Sequence, residues 1–243
     1  MSGVPVPVIA SISLPVGKFV QARVDGFTFN LDTIWSTGVA ALVVLALGLA
    51  VARSASKHVP GKLQLFWEVV VDAVQKQVEQ SIGSKAGPVV PLAIVLFVFI
   101  FVANLLEIIP SGARQVALPS PTADINTPLA MAAVVFVVYT SAAFKHKGIS
   151  GYFRRYLQPS WWLLPINVVE ELVKPFTLSL RLFGNLFSGG LMIMLLSLLP
   201  AWISWLPTGL WKLFDMGIGV IQALIFSLLT ILYYEAAVSA EGH

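Results

Sequence analysis

The chain has 243 residues, of which 57% are hydrophobic and 11% charged, and its mean hydropathy is +0.85. Soluble globular domains carry roughly 25% charged residues, so this composition excludes a soluble enzyme and indicates an integral membrane protein. The net charge of +3 does not indicate a nucleic-acid partner, because the basic residues flank apolar runs, as they do beside a membrane. Since the chain has no cysteine, disulfides, thiolate metal sites and cysteine nucleophiles are also excluded.

Residues 1–30 come before the first long apolar run. They lack a basic start and contain Pro5, Pro7 and Pro15, so they make a poor signal peptide. We expect this N-terminal segment to lie on the outer side of the membrane, because the distribution of basic residues favours that orientation.

Five apolar runs are each long enough to cross about 30 Å of hydrocarbon, which takes roughly 20 helical residues. They cover residues 33–52, 88–106, 125–144, a stretch around Arg181, and 216–234. Basic residues concentrate in the loops after the first and third runs: Arg53, Lys57, Lys62, Lys145, Lys147, Arg154 and Arg155. Because basic loops stay cytoplasmic, the N-terminus is predicted outside and the C-terminal tail inside. No internal repeat is visible, so we predict one integral membrane domain over residues 1–243, all-α, with its helical membrane region over residues 31–240.

Residues 62–83, between the first two runs, mix apolar side chains with Glu68, Asp72, Lys76 and Glu79. This segment is too polar to span a membrane. The pattern is typical of an amphipathic helix that lies in the interface, and we predict one here.

The last two hydrophobic segments are unusually long. Residues 167–199 contain only Pro175 as a helix breaker, and residues 208–240 contain no proline, so each could be helical for about 50 Å. Fitting about 50 Å into about 30 Å of hydrocarbon requires a tilt of roughly 50°. The alternative is a break near Gly189 and Gly190 or near Gly217 and Gly219, with shorter upright helices.

Arg181 is the only charged residue in the apolar stretch 175–200. A guanidinium in that position costs from about 2.5 to over 10 kcal/mol, so Arg181 is expected to face protein, a watery cavity or a partner's carboxylate. Because its pKa lies above about 12, arginine cannot pass a proton on and acts only as a fixed charge. An internal salt bridge with Asp215 or a glutamate is the alternative.

Polar residues of these two segments recur at helical spacing. One helix face would carry the following residues: Glu170, Lys174, Arg181, Asn185 and Ser188. On the last segment, Asp215 and Gln222 lie two turns apart, and Thr230 lies about two turns further. For Ser188 and Thr230 we favour hydrogen bonds between helices over an ion path.

Several stretches of the sequence resemble those of a known family. The string SLRLFGN (179–185), preceded by KPF (174–176), is similar to the signature of the a subunit of the rotary F-type ATP synthase. ANLLEIIP (103–110), PTADINTPLAMA (121–132) and IQALIFSLLTILYY (221–234) also match. The resemblance extends from about residue 60 to the end of the chain.

The resemblance implies a static, non-catalytic subunit with two aqueous half-channels, coupling proton translocation to rotation of a c-subunit ring and so to ATP synthesis. Arg181 would be the essential arginine that faces the ring's carboxylates, with Gln222 and Asn185 as the family's glutamine and asparagine. The long tilted helices would follow the curved ring. The implied partners are the c-ring, peripheral-stalk b-type subunits, the rest of the synthase and the lipid bilayer. The implied location is a bacterial plasma membrane, with no cofactor and no metal.

The sequence departs from the family nine residues beyond Arg181, where several relatives have an acid or histidine and this chain has Gly190. Asp215 stands where relatives carry a histidine or glutamate, and we hypothesise that it supplies the titratable group that Gly190 lacks. Relatives often have a glutamate at the position of Asn167, so the exit path is expected to differ.

Five further residues are candidates for lining the half-channels: Glu107, Asp124, Glu171, Ser188 and Glu235. For Glu107 and Asp124, at the outer ends of two runs, the alternative is a solvated carboxylate at headgroup level. For the pair of acids at 170 and 171, the alternative is a Glu170–Lys174 ion pair, worth a few tenths of a kcal/mol.

The sequence leaves two other functional classes open. A self-contained secondary transporter would be expected to show paired repeats, and a non-conducting membrane anchor would not need the arginine. The sequence has no GxxxxGK[ST] phosphate loop, so nucleotide chemistry would belong to partner chains.

Overall fold

The computed structural model describes residues 21–24, 27–54, 61, 64–65, 67–72, 75–76, 89–108, 120–157 and 160–238. Five helices account for most of this chain: α1 (Leu31–Ser54), α2 (Val89–Ile108), α3 (Asn126–Leu157), α4 (Leu164–Ser197) and α5 (Ala201–Val238). All five contain a segment long and apolar enough to cross a membrane. The predicted all-α membrane fold with five spans is therefore confirmed.

A β-hairpin precedes α1 and was not predicted. Strands β1 (Gln21–Val24) and β2 (Phe27–Asn30) pair antiparallel, with Gln21 opposite Asn30 and Val24 opposite Phe27. The sequence between them is Asp25-Gly26, a dipeptide typical of two-residue hairpin turns. Strands of four residues are too short for hydrophobic periodicity to reveal, so the dipeptide was the only usable signal.

The helices α4 and α5 are unbroken, as the first interpretation predicted. Helix α4 has 34 residues and passes through Gly189 and Gly190, while α5 has 38 residues and passes through Gly217 and Gly219. The alternative of a break at these glycines is therefore wrong. Helix α5 begins at Ala201 and includes Pro207, so it starts seven residues before the predicted position. At 1.5 Å per residue the two helices are about 51 and about 57 Å long, and their tilt in a bilayer stays a prediction.

Helix α3 is kinked at Gly148, whose φ of 70° and ψ of 166° are not helical. A positive φ favours glycine because no Cβ collides with the backbone. The span ends at this residue, and helical backbone continues to Leu157. The basic loop after the third span is therefore partly helical.

The predicted amphipathic helix near residues 62–83 is helical at 64–65, 67–72 and 75–76, and its other residues lie outside the described chain. Gln64 Nε2 donates to Glu68 Oε1 at 2.7 Å, and Lys76 Nζ lies 2.7 Å from Asp72 Oδ2, both at helical i,i+4 spacing. Trp67 packs against a small apolar cluster that α1 and α2 form. The position of this amphipathic segment at the membrane interface stays a prediction.

The main core lies between α2, α3, α4 and α5. It is built on large, fully buried side chains that include Ile100, Val135, Leu178, Leu182 and Phe226. Helix α1 packs at the side of this bundle, where Ala40 meets Val98 and Val102. On α4 the buried residues recur every four positions, at Leu178, Leu182 and Leu186. This pattern buries one stripe of the helix and leaves the flank that carries Arg181 outside the core.

Candidate functional site

Arg181 lies on the exposed flank of α4. The ion pairs among the described residues join Lys76 to Asp72 and Lys174 to Glu170 and Glu171. In this part of the chain, no carboxylate therefore lies within 4.0 Å of the Arg181 guanidinium, and the alternative of an internal salt bridge with Asp215 is wrong.

Three small residues share the exposed helix face of Arg181. Thr177, Gly184 and Ser188 stand four residues before, three after and seven after it, and all three are exposed. A Cβ built at Gly184 would have no atom within 4 Å. Because positions three, four and seven apart share a helix face, another protein can approach the guanidinium closely here.

The polar face predicted on α4 contains an ion pair, with a different partner than expected. Lys174 Nζ lies 2.9 Å from Glu171 Oε2 and 4.0 Å from Glu170 Oε1. Lys174 Nζ also lies 5.9 Å from the ring centroid of Tyr233 on α5. The closer partner is thus Glu171, which is buried, and the predicted Glu170–Lys174 pair is the longer contact.

The hydroxyls expected to join helices instead bond within their own helix. Ser188 Oγ donates to the Asn185 carbonyl at 2.9 Å, and Thr230 Oγ1 donates to the Phe226 carbonyl at 2.9 Å. Ser227 joins helices instead, since its Oγ donates to the Ala93 carbonyl of α2 at 2.9 Å. The expectation for Ser188 and Thr230 was wrong because a helical hydroxyl readily reaches the carbonyl of the preceding turn.

Asp215 of α5 packs against the glycine pair of α4. A Cβ built at Gly189 would lie 2.9 Å from both carboxylate oxygens of Asp215. Trp211, one turn before Asp215, donates its Nε1 hydrogen to the Gly189 carbonyl at 3.3 Å. The carboxylate of Asp215 therefore occupies the space that side-chain-free Gly189 leaves, next to Gly190.

Two buried amides lie where α2 crosses α5. Asn104 Nδ2 donates to the Gly219 carbonyl at 3.0 Å, and Gln222 is one turn further along α5. Both side chains are more than nine-tenths buried, and neither Asn104 Oδ1 nor Gln222 Nε2 has a hydrogen-bond partner among the described residues. An acceptor and a donor left open in this way suit ordered water.

Sequence reasoning missed Asn104 as a site residue. The usable signal was an amide inside the apolar run 88–106, since polar residues within spans usually face the bundle interior.

Asp124 lies buried at the end of the bundle where α1 and α3 begin. Its carboxylate accepts hydrogen bonds from Asn30 Nδ2 at 2.6 Å, Thr33 Oγ1 at 2.9 Å, and the Asn126 backbone and side-chain nitrogens at 3.1 and 2.8 Å. Burial raises the pKa of this carboxyl, but the four hydrogen bonds outweigh that effect and hold the pKa below 3.8. The alternative of a solvated carboxylate is wrong for Asp124, which joins β2, α1 and the start of α3.

Two candidates remain, one near the end of α5 and one near the end of α2. Glu235 is half-buried near the end of α5 and makes no ion pair among the described residues. Glu107 lies near the end of α2, and its side chain is outside the described part of the structure. No group of three potential metal-ligating side chains occurs in the described residues.

Comparison with known proteins identifies the family to which this chain is similar. The family model of the ATP synthase A chain matches residues 33–235. "ATP synthase subunit a" of Acidothermus cellulolyticus is 46% identical over 238 residues, covering 98% of this chain and 88% of that protein. The protein of the same name from Mycobacterium bovis is 44% identical over 242 residues, covering 96% of this chain and 97% of that protein. The Shewanella halifaxensis protein of that name is 38% identical over 229 residues, covering 87% and 83%. Together with the five spans and the arginine, these matches show that the chain belongs to the ATP synthase A chain family.

Proposed function

We propose that this chain is the static proton-channel subunit of an ATP synthase, which couples proton translocation to rotation of a c-subunit ring and so to ATP synthesis. The observation that carries the proposal is the Arg181 guanidinium, which is exposed within a membrane span and pairs with no acid among the described residues. An arginine in that position facing only lipid would be costly, so a partner's carboxylate is the natural occupant of the space before it.

The fixed charge of Arg181 would act on each carboxylic acid that the ring brings past it. At about 4 Å and an effective dielectric of about 20, the attraction is on the order of 4 kcal/mol, which equals about 3 pKa units. The acid therefore loses its proton beside Arg181 and regains one when it moves away. Because arginine keeps its own proton, Arg181 also blocks direct leakage between the two half-channels.

On the outer side of Arg181, the proposed half-channel runs along the contacts of α5 with α2 and α4. Asp215 supplies its titratable carboxylate beside Gly189. The open hydrogen-bonding atoms of Asn104 and Gln222 continue the polar path through the core. Glu107 belongs near the mouth, and the buried Asp124 holds the surrounding helices together more than it carries protons.

On the other side, Glu171 lies near the start of α4 and Glu235 lies near the end of α5. We propose that they line the inner half-channel, while Asn185 and Ser188 border Arg181 at the ring surface. The proposed orientation has the N-terminal hairpin outside and the C-terminus in the cytoplasm of a bacterial cell. The c-ring and peripheral-stalk b-type subunits are the proposed partners, and nucleotide chemistry belongs to other subunits of the complex.

Arg181→Ala in the assembled complex tests the proposal. We expect loss of ATP-driven proton pumping into membrane vesicles, with the chain still assembled into the complex. Arg53→Ala, which removes an exposed arginine at the far end of α1, is the matched control and should pump normally. Normal pumping by Arg181→Ala would instead identify a non-conducting anchor. For Asp215, unchanged proton flux in Asp215→Asn would reject its role.

A further inference from the structure

Three side chains form a group near the start of α4, and only Glu171 among them has a role in the proposed half-channel. We call Glu171, Lys174 and Tyr233 the Glu171 cluster. Lys174 Nζ contacts Glu171 Oε2 at 2.9 Å and lies 5.9 Å from the Tyr233 ring centroid. The cluster thus joins a carboxylate, an ammonium group and a phenol across the contact of α4 with α5.

The Glu171 cluster lies between Arg181 and the beginning of α4. Glu171 is ten residues before Arg181, which is about 15 Å along a helix. A path for protons from Arg181 to the membrane side at which α4 begins therefore passes this cluster.

Exposure separates the two adjacent glutamates. The side chain of Glu171 is 12% exposed and that of Lys174 is 20%, whereas the Glu170 side chain is 70% exposed. A surface ion pair contributes little, whereas a buried charged group needs a close partner. An ionisable residue buried within a membrane span is by default a candidate for function.

We propose that Lys174 is a positioning residue that holds the Glu171 carboxylate beside Tyr233 as a proton-accepting group of the inner half-channel. This inference rests on the proposed function. A hydronium ion on the Arg181 side gives its proton to a carboxylate oxygen of Glu171, which forms an O–H bond and leaves a water molecule. That O–H bond then breaks as water on the solvent side takes the proton, and the carboxylate is restored. ATP-driven pumping runs the same two steps in reverse.

The pH dependence of pumping tests the role of Lys174, because removing a neighbouring cation raises the proton affinity of a carboxylate. Among the described residues, Glu170 of α4 lies 4.0 Å from Lys174, and Tyr139 of α3 packs against the Tyr233 ring. Arg181 is the next charged residue along α4. The experiment measures ATP-driven proton pumping by the assembled complex in vesicles over a range of pH, normalised to the amount of complex.

Lys174→Gln is expected to move the pH profile to higher pH, because the Glu171 carboxylate loses its cationic neighbour. Lys174→Arg keeps the charge and should restore the original profile. Glu170→Gln is the matched control, because it removes an exposed acid that makes the longer contact, 4.0 Å, with the same lysine. It should leave the pH profile unchanged. The double variant Glu171→Gln with Lys174→Gln should match Glu171→Gln alone, because Lys174 acts through Glu171.

An unshifted profile for Lys174→Gln, or an equal shift for Glu170→Gln, would overturn the inference. If Lys174→Gln does not assemble, a difference between the double variant and Glu171→Gln alone would overturn it as well. Arg181→Ala in the same series separates the two proposals. Normal pumping by Arg181→Ala would refute the proposed function. Loss of pumping by Arg181→Ala together with an unshifted Lys174→Gln profile would refute only the role of Lys174.

Discussion

Adding one methyl group at Gly189 tests the placement of Asp215. The new Cβ would lie 2.9 Å from both carboxylate oxygens of Asp215 and 3.1 Å from its Cγ, closer than the ordinary contact distance of 3.4–4 Å. The carboxylate must therefore retreat by about half an ångström or rotate away. Overpacking of this kind costs about 1–3 kcal/mol. Alanine regains about 0.5–1 kcal/mol in a helix interior relative to glycine, so we expect Gly189→Ala to be destabilising by about 0–2.5 kcal/mol.

A double-mutant cycle separates the contact from general effects. Asp215→Ala removes the oxygens that the new Cβ meets, so on that background Gly189→Ala should stabilise the protein by about 0.5–1 kcal/mol. The coupling energy between the two positions is then about 1–3 kcal/mol. Gly48→Ala on α1, where an added Cβ meets nothing within 4 Å, is the matched control and should also be stabilising.

The measurement is the free energy of unfolding of the four proteins of the cycle in lipid nanodiscs. Distant, independent positions add to within about 0.3–0.5 kcal/mol. A coupling energy inside that range, with Gly189→Ala as stabilising as Gly48→Ala, would refute the close contact of Asp215 with α4. Proton pumping by Gly189→Ala gives a second readout, since displacement of the Asp215 carboxylate should slow it.

Two further predictions concern stability. Asp124→Asn should cost about 1.5–3 kcal/mol at neutral pH, because hydrogen bonds to a charged group are lost. Since the folded-state pKa of Asp124 is below 3.8, its contribution is fully present above about pH 4 and is lost as the pH falls through the folded-state pKa. Thermal unfolding from pH 3 to 6 should therefore show a smaller acid dependence in Asp124→Asn, and equal acid dependence would contradict this. Ser227→Ala removes the hydrogen bond to Ala93 and should lower the free energy of unfolding by about 0.6 kcal/mol. Ser197→Ala is the control, because its exposed hydroxyl bonds within its own helix, and it should unfold like the parent. Equal unfolding of the two variants would count against the contact between α2 and α5.

The sequence alone determined the features that depend on hydrophobicity and local spacing. Uninterrupted apolar runs have no stable place outside a membrane, so the five spans followed from composition and length. The solitary charge of Arg181 and its family signature could be read directly from the residues. Helix continuity through Gly189 was also predictable, because a single glycine or glycine pair only weakens a helix.

The tertiary structure decided which side chains meet. Lys174 has acids at both three and four residues before it, and helical spacing allows either pair. The packing of α4 against its neighbouring helices buries Glu171 and leaves Glu170 exposed. The contacts of Asp215 with Gly189 and of Asn104 with Gly219 join residues 26 and 115 positions apart, and no local pattern sets such distances. These contacts arise from how the helices cross in three dimensions, which depends on the packing of whole surfaces and not on periodicity within one helix.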